Sequence, residues 1–383
     1  MVRKMQSVWA SAALALFVVG CIDSPTVDDR SDAALIGAEA YDIETLATGL
    51  DAPWGIAFID ENRFLVTELS GQLRLVENGV VSEPISGVPS VYFAGQGGLL
   101  DIVLAPDFET TGTLLLSYAK GDDAQNATAV SRARLAGQSL VDLEEIFVSA
   151  PWRDTSSHFG GRMVILPDET LMLTLGDAFA YREEAQRRTN HLGTVVRMNL
   201  DGSVPTDNPF ANEDGPAAWV YSYGHRNVQG IAYDGARQLI WENEHGPQGG
   251  DEVNILQAGA NYGWPIATEG RDYNGARISP FSSHDGFEAP VYGWAEYSIA
   301  PAGMMVYDAD LFEAWRGDLF IAGLASRALH RIDLNEDGAV IEEYRLLREI
   351  DQRIRQVAQG PDGAIYVLVD GPEGSVERLT PAQ

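Results

Sequence analysis

From Tyr41 onward the chain repeats one arrangement of apolar and polar positions. An apolar run leads into a turn of Asp, Pro or Gly, and a second apolar run follows. Six stretches carry it: GIAFIDENRFLVTE from Gly55, LLDIVLAPDFETTGTLLLSYA from Leu99, GRMVILPDETLMLTLGD from Gly161, GIAYDGARQLIWENE from Gly230, GMMVYDADLFEAWRGDLFIAG from Gly303 and RQVAQGPDGAIYVLVD from Arg355. Their starts lie 44, 62, 69, 73 and 52 residues apart. Each reads as the inner hairpin of a four-stranded blade, and alternation such as Leu73-Arg74-Leu75-Val76 suits half-buried strands. Six blades predict an all-β fold, a six-bladed β-propeller over residues 41–383, with a β-sandwich or a pair of barrels as the alternative. The spacing leaves room for long loops, which in a propeller gather around the channel and carry function. No apolar helical pattern follows residue 21, and Ala180–Asn190 reads as a polar loop or surface turn.

Composition supports a turn-rich β-protein: the 383 residues include 39 Gly, 18 Pro, 14 Tyr and 8 Trp. The 45% apolar content supports a large core and excludes wholesale disorder. The net charge of −30 would be repelled by phosphate backbones and argues against nucleic-acid binding. The single cysteine excludes an internal disulfide and any cysteine-based zinc or iron–sulfur site. That cysteine, Cys21, ends an N-terminal signal pattern. Arg3 and Lys4 precede a short apolar run, and Val18-Val19-Gly20-Cys21 resembles a bacterial lipobox. The reading is a lipoprotein signal peptide over 1–20, an acidic tether over 21–40, and export to the periplasm. There the lipid on Cys21 would be the only membrane contact, the outer membrane being favoured by Ile22.

Motifs for zinc peptidases, serine hydrolases and nucleotide loops are absent, and Gly95-Gln96-Gly97-Gly98 lacks the spacing of a dinucleotide fingerprint. Four polar segments stand out instead. His158, in SHFGGR, is either a general base or a structurally bonded histidine at a loop base. Arg226, Asn227 and Gln229, in YGHRNVQG, suit a planar ligand with carbonyl and carboxylate edges, or simply satisfy their own loop. The segment NEHGPQGGDEVN bends at Gly246-Pro247 and places carboxylates close behind, which suits calcium or a solvated acidic turn. Arg353 and Arg355 share one face of a strand, as a clamp for a polycarboxylate or as two surface arginines. The stretch Asp333–Gly338 opens like a calcium loop but has Tyr344 at the twelfth position, and reads as a hairpin turn.

Together these segments resemble the soluble PQQ-dependent sugar dehydrogenases, the glucose/sorbosone dehydrogenase family, and within it the periplasmic aldose sugar dehydrogenases. The strings GQGGLLDIVLAPDF, HFGGR, DGSVPTDNPF, SYGHRNVQG, NEHGPQGGDEVNI, NYGWP and QRIRQV occur in the family's order, from about Leu50 to Leu379. The resemblance implies a six-bladed propeller that holds pyrroloquinoline quinone (PQQ) and Ca2+ on one face. It implies oxidation of the C1 hydroxyl of an aldose to a lactone, with electrons passed to an external quinone or redox protein. His158 would be the base, Asp177 the carboxylate orienting it, and Gln96 a lining residue beside the quinone. Arg226 would face the quinone oxygens, with Asn227 and Gln229 completing that edge. Gly246 and Pro247 carbonyls would hold the calcium that meets PQQ. Glu252 and the Tyr262 carbonyl would hold a second calcium. Arg353 and Arg355 would bind cofactor carboxylates, and Trp294 would stack on the sugar. The chain departs from the family near Ala325, where a lysine is usual; Arg327 is the cation that could reach the same carboxylate. Ser157 and Thr194 also differ, and the Ala267–Pro290 region differs from the glucose-specific enzyme. A calcium-dependent lactonase and a non-catalytic binding propeller are the other readings. Arg353 and Arg355 speak against the first, and the His158–Asp177 pair against the second. The protein is expected as a monomer or homodimer.

Overall fold

The computed structural model describes residues 40–382. The predicted signal segment, Cys21 and all but the last residue of the tether lie outside the described residues. Six antiparallel four-stranded sheets form a β-propeller. Blade one comprises Pro53–Asp60, Arg63–Glu68, Gln72–Glu77 and Val80–Val81; blade two, Leu99–Leu104, Thr113–Gly121, Asn126–Ala136 and Ser139–Val148; blade three, Met163–Ile165, Thr170–Thr174, Thr194–Asn199 and Val220–Tyr223. Blade four comprises Val228–Asp234, Leu239–Glu244, Asp251–Ile255 and Tyr292–Trp294; blade five, Pro301–Val306, Leu319–Gly323, Leu329–Leu334 and Val340–Leu346. Blade six takes Ile354–Gln359, Ile365–Val369 and Gly374–Pro381 from the C-terminus and its outer strand, Tyr41–Leu50, from the N-terminal end. That pairing closes the ring and leaves only short, protected edges. Each of the six predicted hairpins is the inner pair of one blade.

The second strand of a blade lies between neighbouring sheets, so both its faces are covered and most of its residues are buried. Leu319–Gly323 and Ile365–Val369 are buried throughout. Between blades five and six, Phe312 stacks on Trp315 at 4.2 Å and both pack with Phe320 and Tyr307. Burial of each such ring is worth roughly 1.5–3 kcal/mol. The predicted loop Ala180–Asn190 contains a short 3-10 turn, Arg182–Gln186, with Ala185 buried. Among the described residues no helix is long and apolar enough to cross a membrane.

At the axis, Arg162 of blade three stacks its guanidinium on Trp54 (3.7 Å). It donates to the carbonyls of Trp54, Gln229 and Arg355, which belong to blades one, four and six. One fully buried cation thus ties four blades together beside Asp101 of a fifth. Antiparallel order puts the entries to all inner strands, and the connections from second to third strands, at one end of the ring. Gln96, His158, Asp177, Arg226, Gly246, Arg327 and Arg353 all lie on those connections. The long 256–291 excursion of blade four starts at the other end and climbs back along Tyr223 and Gly224.

Candidate active site

The loop into blade three and the loop out of its second strand meet at a His–Asp pair. His158 Nδ1 lies 2.6 Å from Asp177 Oδ1. Asp177 Oδ1 also accepts the Phe179 N–H (2.7 Å), and its Oδ2 accepts the Trp264 indole N–H (2.8 Å). With both carboxylate oxygens engaged, the shared proton belongs on His158 Nδ1 and leaves Nε2 as the basic nitrogen. Among the described residues Nε2 has no hydrogen-bond partner. Gln96 Oε1 accepts the His158 backbone N–H at 2.7 Å. His158, Ala178 and Phe179 all have left-handed backbone conformations, with φ of 54°, 56° and 64°. Such strain clusters where surroundings over-determine a functional geometry. Gly176 makes the close approach possible: a Cβ there would sit 2.3 Å from the His158 carbonyl.

Burial lowers the His158 pKa, the Arg226 charge lowers it further, and Asp177 opposes both, so the ring is neutral at pH 7. Burial works against the Asp177 carboxylate, but the His158 ring, Arg226 and the Phe179 N–H hold its pKa below the usual range. Arg226 is buried against Trp264 (5.4 Å) and donates to the carbonyls of His245 (3.0 Å) and Gly246 (2.7 Å) and to the Tyr273 hydroxyl (3.2 Å). Asn227 and Gln229 reach the loop that follows His158: Asn227 Oδ1 accepts from Gly160 N (3.3 Å) and from Gln229 Nε2 (3.3 Å).

The opposite wall is acidic. Glu244 faces Glu252, and Glu242 faces Asn254, across one ladder of blade four, so all four side chains share a face. Burial first, and the charge of Glu244 second, push the Glu242 and Glu252 carboxyls well above the usual range. Glu242 Oε2 and Asn254 Oδ1 are buried with no donor. His225, stacked on Tyr262 at 4.6 Å, lies 3.2 Å from Glu244. A cavity of about 10 Å³ is lined by Arg226, Glu244, Gly246, Glu252, Tyr262 and Trp264. That is room for one small ion or water. Gly246 is required there, because a Cβ would fall 2.2 Å from the Gly249 carbonyl.

Arg353 and Arg355 share the Asp370 carboxylate, at 3.0 and 3.1 Å. Arg355 keeps a buried Nε–H with no acceptor. Arg327 extends to Asp351 (3.2 Å) on the exposed rim. Its ion pair with Asp351 holds it apart from the His158–Arg226 cluster's hydrogen-bond network. Trp294 needs correction. It is 2% exposed, packs in the core with Trp241 and Val253, and donates to Glu343, so it has no face to offer a sugar. The aromatic rings at the mouth are others. Phe179 (50% exposed) meets the His158 ring edge-on at 5.2 Å and lies 6.1 Å from Tyr273 (59% exposed). The sequence reading missed both, although Phe179 lies two residues from Asp177. It also passed over Trp264, which stands inside the string NYGWP.

The glucose/sorbosone dehydrogenase family model matches residues 50–378. The aldose sugar dehydrogenase YliI of Escherichia coli is 41% identical over 358 residues, covering 92% of this chain and 96% of that one. Quinoprotein glucose dehydrogenase B of Acinetobacter calcoaceticus is 29% identical over 424 residues, covering 89% and 87%. The PQQ-bound structure of an aldose sugar dehydrogenase from Streptomyces coelicolor superposes with a TM-score of 0.73 at 27% identity, covering 90% of this chain and 99% of that one. The chain belongs to the glucose/sorbosone dehydrogenase family.

Proposed function

We propose that this family member is a PQQ- and Ca2+-dependent dehydrogenase that oxidises the C1 hydroxyl of aldoses to lactones. The observation that carries the reading is the free His158 Nε2, set between an orienting carboxylate and a buried arginine. The names of the Acinetobacter and Streptomyces relatives support the cofactor. The residues present also fit it. A polycarboxylate finds the unpaired Arg355 Nε–H, with Arg353 beside it. A divalent cation finds the Gly246 and Tyr262 backbone, Glu252 and the unpaired oxygens of the acidic wall. When bound, PQQ supplies a two-electron acceptor and Ca2+ a Lewis acid.

The chain's own groups do the rest. His158 Nε2 takes the proton of the sugar C1 hydroxyl as the C1 hydride departs, and Asp177 stabilises the imidazolium that results. Arg226 supplies fixed positive charge where negative charge develops. Phe179 and Tyr273 give the apolar face of a pyranose a surface and shield His158 from water. The product is a lactone, a cyclic ester. Export, lipid anchoring at Cys21 and transfer of electrons to an external quinone or redox protein complete the proposal. The test is dye reduction by the chain from residue 22 against a panel of aldoses. Turnover is expected only when PQQ and Ca2+ are both added, and turnover without PQQ would refute the reading.

A further inference from the structure

Blade five holds a further histidine–carboxylate pair that the dehydrogenase chemistry does not use. His330 is fully buried, and its Nδ1 lies 2.6 Å from Glu343 Oε1. Its Nε2 lies 2.7 Å from Ser326 Oγ. A buried imidazole is satisfied by any two partners; the order of partners is what points to chemistry here. The carboxylate holds Nδ1 and the hydroxyl faces Nε2, the arrangement in which an imidazole can take a serine proton. Glu343 is itself fixed by the Tyr292 hydroxyl (2.8 Å) and the Trp294 indole N–H (3.3 Å). Burial works against its charge, but His330, Tyr292 and Arg345 outweigh this and bring it down to about 2.

Ser326 is half-buried, on a short loop between exposed Ala325 and Arg327. Gly323 makes the contact possible: a Cβ there would fall 2.0 Å from Ser326 Oγ and 3.0 Å from His330 Nε2. Arg327, next in the chain, is left-handed (φ 51°), and its backbone N–H donates to no other group among the described residues. That N–H belongs to the residue that follows the nucleophile, and it is the group the proposal assigns to an oxyanion.

We propose that Ser326, His330 and Glu343 form a hydrolytic site for small esters, with the aldonolactone as its natural substrate. Ser326 Oγ attacks the ester carbonyl carbon and its proton passes to His330 Nε2. The carbonyl–oxygen single bond breaks, and the departing oxygen takes that proton, leaving an acyl ester on Ser326. Water then attacks the acyl carbon, gives its proton to His330, and the acid leaves as Ser326 Oγ is reprotonated. One water is added across the ester, and no oxidant or cofactor takes part. The choice of a lactone rests on the dehydrogenase reading above; the ester chemistry does not.

The test separates the two. The full chain, without PQQ or sugar, is treated with diisopropyl fluorophosphate and its peptides are weighed, and p-nitrophenyl acetate hydrolysis is followed in parallel. The adduct is expected on Ser326. Hydrolysis is expected to fall about 100-fold or more in Ser326→Ala. Glu343→Gln is expected to slow it too, with dye reduction by Ser326→Ala unchanged as proof of folding. An unmodified Ser326, with wild-type chain hydrolysing the ester no faster than Ser326→Ala, would overturn the site. Opening of an aldonolactone at equal rates by wild type and Ser326→Ala in a pH-stat would overturn the lactone assignment, whatever the dye assay gives.

Discussion

The two walls of the active-site face meet burial in opposite ways. On the basic side, burial and Arg226 strip protons from imidazoles: His245 is brought down to about 3 and His158 is lowered as well. On the acidic side, burial and mutual repulsion press protons onto Glu242 and Glu252. Arginine is the group that burial cannot neutralise at working pH. The basic wall therefore keeps a permanent charge and a neutral base at once. The acidic wall gains its full charge only when a cation compensates it. In the proposed function the first wall would face a polyanion and the second a metal ion, and the two touch where Arg226 meets the Gly246 carbonyl.

Breaking the basic side should cost most. His158→Ala is expected to lower kcat by about 10³-fold or more while PQQ still binds, since only the proton acceptor is lost. Asp177→Asn should come close to that, because the wrong tautomer would block Nε2. Steady-state kinetics beside a PQQ titration check both. Arg226→Ala should lower kcat/KM by about 10²-fold, and it should also weaken PQQ binding. On the acidic side, Glu252→Gln should leave kcat at saturating Ca2+ nearly intact. It should raise the Ca2+ needed for half-maximal thermal stabilisation about tenfold or more, as read by Tm against Ca2+ concentration. The pH profile sharpens the contrast. His158 has a pKa below its ordinary value, so kcat/KM should stay level through neutral pH. It should fall about tenfold per unit only below the ordinary imidazole range near 6.5. Phe179→Ala should be mildest, a several-fold rise in KM for pyranoses with kcat little changed.

The inner hairpins were legible because strands covered on both faces are rich in apolar residues, as Leu319–Gly323 is. The outer strands were not. Ser139–Val148 breaks its apolar pattern with an exposed central stretch of Asp142, Leu143, Glu144 and Glu145, and Tyr41–Leu50 is recruited from the far end of the chain, a pairing no local pattern announces. His158 and Arg226 could be found because each stands in a short string of unusual polarity beside glycines, whereas Asp177, at the end of an apolar strand, came only from the family resemblance. Trp294 misled because an aromatic residue in a strand carries no sign of which face it presents. Tyr273 escaped notice because it reaches the site only through the 256–291 excursion, and Phe179 because a lone aromatic residue on a loop gives no sign that it borders the site. Arg162 was inside a quoted string, but its reach across four blades exists only once the ring closes. The predicted Ca2+ turn at Gly246-Pro247 left metal and solvated readings open. The pairing of Glu244 with Glu252 gives the metal reading its support.

The most direct measurement is an equilibrium titration of the chain with PQQ, with Ca2+ present and after removal of Ca2+ by EDTA, for wild type and Arg355→Ala. The account predicts one PQQ bound per wild-type chain with Ca2+, much weaker binding without it, and a marked loss of affinity in Arg355→Ala. A folded wild-type chain that binds no PQQ in the presence of Ca2+ would contradict it.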